Sequence, residues 1–287
     1  MKPLLKKMVA VACLTCAAGV AQARDLVMGL IPAENNEEMI QHFEPMRAYL
    51  EKKLGVHVKM YTATDYAGVI EAMRKKRLDI AWLGPLSYIL AEQEAGAEAF
   101  AVGVSPDGRS IYKSIFVVPS DSPAQKLEDL KGKNVAFVEP ASTSGNLVPS
   151  FILKQRTGQT PSQFFGKFTY AGSHDAAQLA VKNHAVDAAA ANDISYKILL
   201  EKGLITPQTN RIIETSMDIP DSPLTYRSDL DPALKAKIRD AFYNAHKEMQ
   251  VTGYGKYIRY TEAKPADYQP IRDMISSLGL GRDALLK

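Results

Sequence analysis

Cysteine is almost missing from this 287-residue chain: its 2 cysteines, Cys13 and Cys16, both fall within the first apolar stretch. That stretch, MKPLLKKMVAVACLTCAAGVAQA, places Lys2, Lys6 and Lys7 ahead of the apolar run and closes on Ala21-Gln22-Ala23. This is the layout of a secretory leader with a small-residue cleavage site, too short and wrongly flanked for a membrane span. A lipoprotein leader is the rival, but Ala10-Val11-Ala12 before Cys13 lacks the usual leucine, and Cys13-Leu14-Thr15 before Cys16 fits worse. Cleavage after Ala23 is therefore expected, with a soluble exported chain starting at Arg24. Such a chain carries no cysteine, which excludes disulfides, thiolate chemistry and cysteine-ligated metals.

An excess of either charge is also missing. Of the 35 basic residues three lie in the leader, and without them 32 basic residues face 32 acidic ones. The longest run of like charge is Arg74 to Arg77, so neither nucleic acid nor an anionic membrane is expected as a partner. His42, His57, His174, His184 and His246 show no i, i+4 pairing of histidines and no His-Glu-x-x-His spacing, so no metal and no cofactor are expected. There is no Gly-x-Ser-x-Gly elbow and no phosphate-cradling Gly-x-x-x-x-Gly-Lys loop. Ser144 and His174 can be imagined as nucleophile and base, but no third orienting group is evident, and an enzyme is not expected.

What is present is an alternation of strand and helix patterns. DLVMGLIP reads as a strand, MIQHFEPMRAYLEKKLG as a helix ended by Gly55, VHVKMYTA as a strand, and AGVIEAMRKK as a helix capped by Asp65. DIAWLG follows as a strand, then a helix with Pro85 at its tolerant first position. FAVGVS and IYKSIFVVPS interrupt the pattern as extended segments before a second alternating set begins at LEDLKGKNVAFVEP. Asp231-Pro232 opens a late amphipathic helix with Leu234, Ile238 and Phe242 on one face. The fold class is α/β, with parallel sheets expected in two lobes joined by extended crossings near residues 112 to 119 and 214 to 226. The expected division is a leader 1–23, one lobe from 24–117 plus 224–287, and a second from 118–223. Such a chain forms a cleft that can hinge shut on a ligand.

The stretch EPASTSGNLVPS places Ser142, Thr143, Ser144 and Gly145 between the apolar runs NVAFV and SFIL. A strand that ends in hydroxyl residues and restarts as a helix leaves backbone N–H groups pointing back at the turn, which can seat an anion or need only a cap. The residues alone leave both uses open. Pro149 falls about one turn into that helix, where its missing N–H removes a bond and can kink the segment.

The segments TDYAGVIEAMR, LDIAWLGPLSY, ASTSGNLVPS and AGSHDAA, in this order behind a leader, resemble the periplasmic phosphonate- and phosphite-binding components of ATP-binding-cassette transporters. The resemblance covers essentially the whole chain beyond the leader. It implies a two-lobed type II periplasmic-binding-protein fold, a small phosphorus oxyanion held between the lobes, delivery to an inner-membrane ABC permease, a monomer, and no catalysis. Position by position, it places Tyr66, Tyr112, the Ser142-Thr143-Ser144 run and His174 around the ligand's phosphorus-bound oxygens.

Each of these also has a plainer use. Tyr66 can be a helix-start aromatic packed on the core, Tyr112 a crossing residue with a wet hydroxyl, and His174 a capping or surface histidine. Trp82, the 1 tryptophan, ends an apolar strand either in plain core or beside the cleft. Relatives that prefer an aminoalkyl phosphonate place carboxylates at the ligand's ammonium; the candidates here are Asp193 and Asp221, with Asp193 taken as a site residue. Ser222 stands where one such carboxylate is expected, which favours a compact ligand. A periplasmic sensor feeding a separate membrane signalling partner is the alternative function.

Overall fold

The computed structural model describes residues 25–286, so the expected leader lies outside the described residues. Chain order begins β1 (Leu26–Leu30), α1 (Asn36–Leu54), β2 (Val58–Thr62), α2 (Tyr66–Arg74), β3 (Ile80–Trp82), α3 (Pro85–Ala95), β4 (Ala97–Val104) and β5 (Ile111–Tyr112). It continues through β6 (Ser114–Pro119), β7 (Asn134–Phe137), a π-helical turn (Thr143–Leu147), α4 (Val148–Thr157), α5 (Pro161–Phe164), β8 (Lys167–Tyr170) and α6 (His174–Lys182). After β9 (Ala188–Asn192), α7 (Asp193–Glu201), β10 (Asn210–Thr215) and β11 (Ile219–Pro220), the chain returns through β12 (Pro223–Arg227), α8 (Pro232–Asn244), β13 (Arg259–Glu262), α9 (Gln269–Leu278) and α10 (Arg282–Leu286).

Two sheets organise these elements. The first is 6-stranded in the order β13-β4-β12-β3-β1-β2, and the second is 5-stranded in the order β10-β6-β9-β7-β8. Both are mixed, which corrects the expectation of parallel sheets. In the first, β1 runs parallel to β2 and β3, while β12 and β13 pair antiparallel with their neighbours. In the second, β7 runs parallel to β8 and β9, while β6 and β10 pair antiparallel. Of the antiparallel members, β6, β10 and β12 are next to the crossings and enter or leave each sheet from the hinge side, while β13 returns to the sheet edge after α8.

The crossings themselves are short. β5 and β11 form a separate two-stranded antiparallel ribbon in which Tyr112 faces Ile219 and Ile111 faces Pro220. β6 already belongs to the second sheet and β12 to the first. A boundary after residue 117 therefore falls inside β6, and the extended spans seen in the sequence are mostly sheet strands with a narrow ribbon between them. Strand β9 shows why the second sheet packs closely: Ala188, Ala189, Ala190 and Ala191 are all fully buried, and methyl side chains let the covering helices approach. Among the described residues, no helix is long and apolar enough to cross a membrane.

Candidate ligand-binding site

A cavity of about 20 Å³ lies between the two sheets' lobes, lined from both. The expected residues Tyr66, Tyr112, Ser142, Thr143, Ser144 and His174 all line it. Trp82, Asn192, Ser222 and Tyr254 complete its polar and aromatic walls. None of the lining residues is charged.

The geometry follows from where helices begin. Tyr66 is the first residue of α2, behind Asp65, whose Oδ1 accepts from Gly68 N at 2.7 Å. Gly84 precedes α3, Ser142 precedes the π-helical turn, Ser173 precedes α6 at His174, and Asn192 precedes α7. Five helical N-termini, two from the first lobe and three from the second, thus meet at one cavity. The leading N–H groups of each have no partner inside the helix, and the helix dipoles present their positive ends. Such an arrangement has the chemistry to seat an anion without a cation.

The hydroxyl run serves as cap and as lobe contact together. Ser142 Oγ accepts from Gly145 N at 3.0 Å, and Thr143 Oγ1 accepts from Leu86 N at 2.8 Å across the cleft. Each oxygen is thereby fixed as an acceptor while its O–H is left to donate. The π turn also answers the question raised by Pro149. Leu147 N donates to Ser142 O at 3.0 Å and Val148 N donates to Thr143 O, both five residues back. Pro149 has no N–H to continue that register, so it sits in the first turn of α4 instead of kinking a longer helix. The carbonyls left over are taken up elsewhere: Ser144 O accepts from Ser114 Oγ at 2.6 Å, and Gly145 O accepts from Val138 N at 3.0 Å. Gly145 is required because a Cβ there would meet the Val138 side chain at 2.3 Å.

His174 is buried, its Nδ1 has no hydrogen-bond partner, and burial pushes its imidazole down to about 3, only partly opposed by Asp175. It is therefore neutral, with one ring nitrogen a donor and the other an acceptor. Burial above all raises the Tyr66 and Tyr112 hydroxyls; the first lies beside Ser142, the second beside Thr143 and Ser144. Both phenols stay protonated donors.

Asp193 differs from the expectation. Its Oδ1 accepts from Lys113 N at 2.9 Å and its Oδ2 pairs with Lys197 at 2.9 Å, and it lines a separate groove of about 350 Å³ beside the hinge. The carboxylate ties the start of α7 to the hinge and does not line the cavity. Asp221 is buried, with Oδ1 accepting from Ser222 N at 2.7 Å and Oδ2 from Tyr257 at 3.1 Å; only its neighbour Ser222 reaches the cavity. Trp82 is both core and wall, packed against Phe43 and Tyr254 at ring distances of 5.6 Å and 5.1 Å. Tyr254 and Asn192 were missed by sequence reasoning. They are joined across the cleft, Asn192 Nδ2 donating to Tyr254 OH at 3.3 Å.

The chain belongs to the family described as the periplasmic phosphonate substrate-binding proteins of ABC transporters, matched over residues 28–269. The phosphonates-binding periplasmic protein of Escherichia coli K12 is 36% identical over 230 residues, 79% of this chain and 68% of that protein. The phosphate-import protein PhnD of Mycolicibacterium smegmatis is 30% identical over 263 residues, 86% of this chain and 81% of that protein. Among solved structures, a binding component of an ABC phosphonate transporter from Pseudomonas aeruginosa superposes with a TM-score of 0.80 at 26% identity, covering 91% of each chain. PhnD1 of Prochlorococcus marinus, solved with methylphosphonate, superposes with a TM-score of 0.78 at 25% identity, covering 89% of this chain and 98% of that one. The two-lobed periplasmic-binding-protein fold expected from the sequence is the fold of this chain.

Proposed function

We propose that this chain, exported by a cleaved leader, captures a small phosphorus oxyanion such as phosphite or a short alkylphosphonate and hands it to an inner-membrane ABC permease. Tyr66, Tyr112, Ser142, Thr143, Ser144 and His174 supply the donors to the phosphorus-bound oxygens. The lobes turn about the β5–β11 ribbon and close on the ligand as a monomer. The observation that carries this reading is the convergence of five helical N-termini from both lobes on a cavity with no charged lining residue. A cation would hold any anion mainly by charge, whereas fixed neutral donors select by shape and by protonation state. The neutral His174 adds one donor or one acceptor, according to tautomer, and so can distinguish a bare oxygen from a hydroxyl on phosphorus. With its Nδ1 unpartnered, no group orients His174 as a base, and no chemistry on the ligand is proposed.

The ligand is compact. An aminoethyl arm would bring an ammonium group into a cavity lined by Ser222 and by no carboxylate. Calorimetric titration of the leaderless protein with phosphite, methylphosphonate, 2-aminoethylphosphonate, phosphate and sulfate tests this. Phosphite or methylphosphonate is expected to bind at least about tenfold more tightly than 2-aminoethylphosphonate, or about 1.4 kcal/mol. Ser222→Asp narrows that gap by offering the ammonium a partner and repelling the small anions. Tighter binding of 2-aminoethylphosphonate to the unaltered protein overturns the compact-ligand reading, and silence across the panel overturns the oxyanion reading itself.

A further inference from the structure

Glu34, Glu38 and His42 recur at every fourth position through the start of α1, and one ligand atom from each lies within 4.8 Å of the other two. Glu34 is 1% exposed, and its Oε1 has no hydrogen-bond partner; Nε2 of His42 is likewise buried without one. The closest approach between them, 3.7 Å from Glu34 Oε2 to His42 Nε2, is too long for a hydrogen bond. The α1 dipole favours a carboxylate just ahead of its first turn, but no donor reaches Oε1. An ionised carboxylate in such a place lacks its compensation. From the facing lobe, Lys202 contacts Glu38 and Asp175 accepts from Asn35. The Tyr254 ring stands edge-on to His42 at 6.2 Å.

We propose that Glu34, Glu38 and His42 form a divalent-cation site on the rim of the cleft, taking an ion of the zinc or manganese class through two carboxylate oxygens and one imidazole nitrogen. This donor set suits those ions better than calcium or magnesium, which avoid nitrogen ligands. All three ligands come from the first lobe, so the site forms whether the cleft is open or shut. Lys202 competes with the ion for Glu38 only when the cleft is shut. Ala33 and Tyr254, which line the ligand cavity, sit next to Glu34 in sequence and to His42 in space. A cation there adds a full positive charge beside a cavity lined by no lysine or arginine. The site does not depend on which anion the cavity takes.

The test is calorimetric titration of tag-free, metal-stripped protein with zinc and manganese chlorides, with magnesium chloride as control, at about pH 7.5. One equivalent of zinc or manganese is expected to bind. Glu34→Gln and His42→Gln should each weaken it by at least about tenfold. His57→Gln removes an exposed histidine that pairs with Glu51 and should change nothing. Lys202→Met should bind as tightly as the parent or more so. Thermal unfolding in chelator establishes that each variant is folded, and the metal-dependent rise in melting temperature should vanish in His42→Gln. Cobalt(II) absorption supplies a direct reading of imidazole ligation that survives a small change in affinity. Absence of stoichiometric binding, equal binding by Glu34→Gln and His42→Gln, or loss in His57→Gln overturns the site and leaves Lys202 as the cluster's cation.

Discussion

Ser142 and Thr143 each accept a backbone N–H through the side-chain oxygen, one within its own turn and one from the opposite lobe. Replacing both with alanine is therefore expected to cost several kcal/mol of ligand binding, while the unliganded protein loses no more than about 2 kcal/mol, the upper range for a lost cap. Calorimetry and denaturant unfolding on the same samples separate the two; a collapse of stability with unchanged affinity in the folded fraction would reduce the run to a cap. Asp221 gives a pH signature of its own. Burial raises its carboxyl from 3.8 to about 7, against the opposing bonds from Ser222 and Tyr257. The folded state keeps this proton between those two values while the unfolded chain loses it, so the contribution to stability is full below 3.8 and is lost as pH rises through 7. Asp221→Asn should be more stable than the parent at about pH 8 by up to about 4 kcal/mol, with the advantage vanishing near pH 4. Urea unfolding at several pH values checks it, and a difference constant with pH counts against it. The hydroxyl run, Tyr66 and His174 were legible because each stands where a helix pattern begins, and a donor at a helix start has a physical use that sequence can state. Asp193 also stands at a helix start, but the direction of its side chain is set by the hinge strand that donates to it. Tyr254 comes from an irregular stretch brought over the cavity only by tertiary packing. The Glu34–His42 cluster escaped a search for paired histidines because two of its three groups are carboxylates.

At the scale of elements, most of the order of strands and helices up to α8 was readable from periodicity and caps, whereas α5, β13, α9, α10 and strand direction were not. A strand buried on both faces shows the same apolar run whether its neighbours are parallel or antiparallel, and β6, β10 and β12 owe their direction to the crossings. The π turn was equally hidden, since Pro149 announces a disturbed helix without saying which register absorbs it. Its fit can be probed through Gly145, where a Cβ would lie 2.3 Å from Val138 Cγ2 and 2.4 Å from Val138 Cβ. Gly145→Ala is expected to cost about 1–3 kcal/mol of stability by overpacking and to weaken ligand binding by displacing Ser142 to Ser144. Val138→Ala in the same chain should recover part of both losses, a coupling that a double-mutant cycle measures. If Gly145→Ala matches the parent in stability and affinity, the turn is free to move and its register does not hold the site.

For the whole molecule, the structure is a closed form in which α9 packs on α4 and the π turn and a set of polar bonds crosses the cleft. His174 N donates to Ala33 O at 2.9 Å, Asn35 N to Asp175 Oδ2 at 3.2 Å, and Ser87 Oγ to Ala141 O at 2.9 Å, beside the Leu86–Thr143 and Asn192–Tyr254 bonds described above. Each such bond contributes only about 0.5–1.5 kcal/mol net, because water replaces it on opening. Each of these bonds is thus weak on its own, and an anion that contacts both lobes adds to the closed state alone. The radius of gyration is expected to fall when saturating phosphite is added, with amide exchange slowed in the β5–β11 ribbon and around Ser222. Ser87 offers a separate control, because it does not line the cavity yet bonds across the cleft. Ser87→Ala should enlarge the unliganded particle and weaken phosphite binding by up to about tenfold, the factor by which the closed population falls, while saturating ligand restores the same compact profile as the parent. Small-angle scattering with and without ligand decides the matter. Profiles identical in both states, for parent and variant alike, would mean that the cleft is permanently shut and that capture proceeds by some route other than hinge closure.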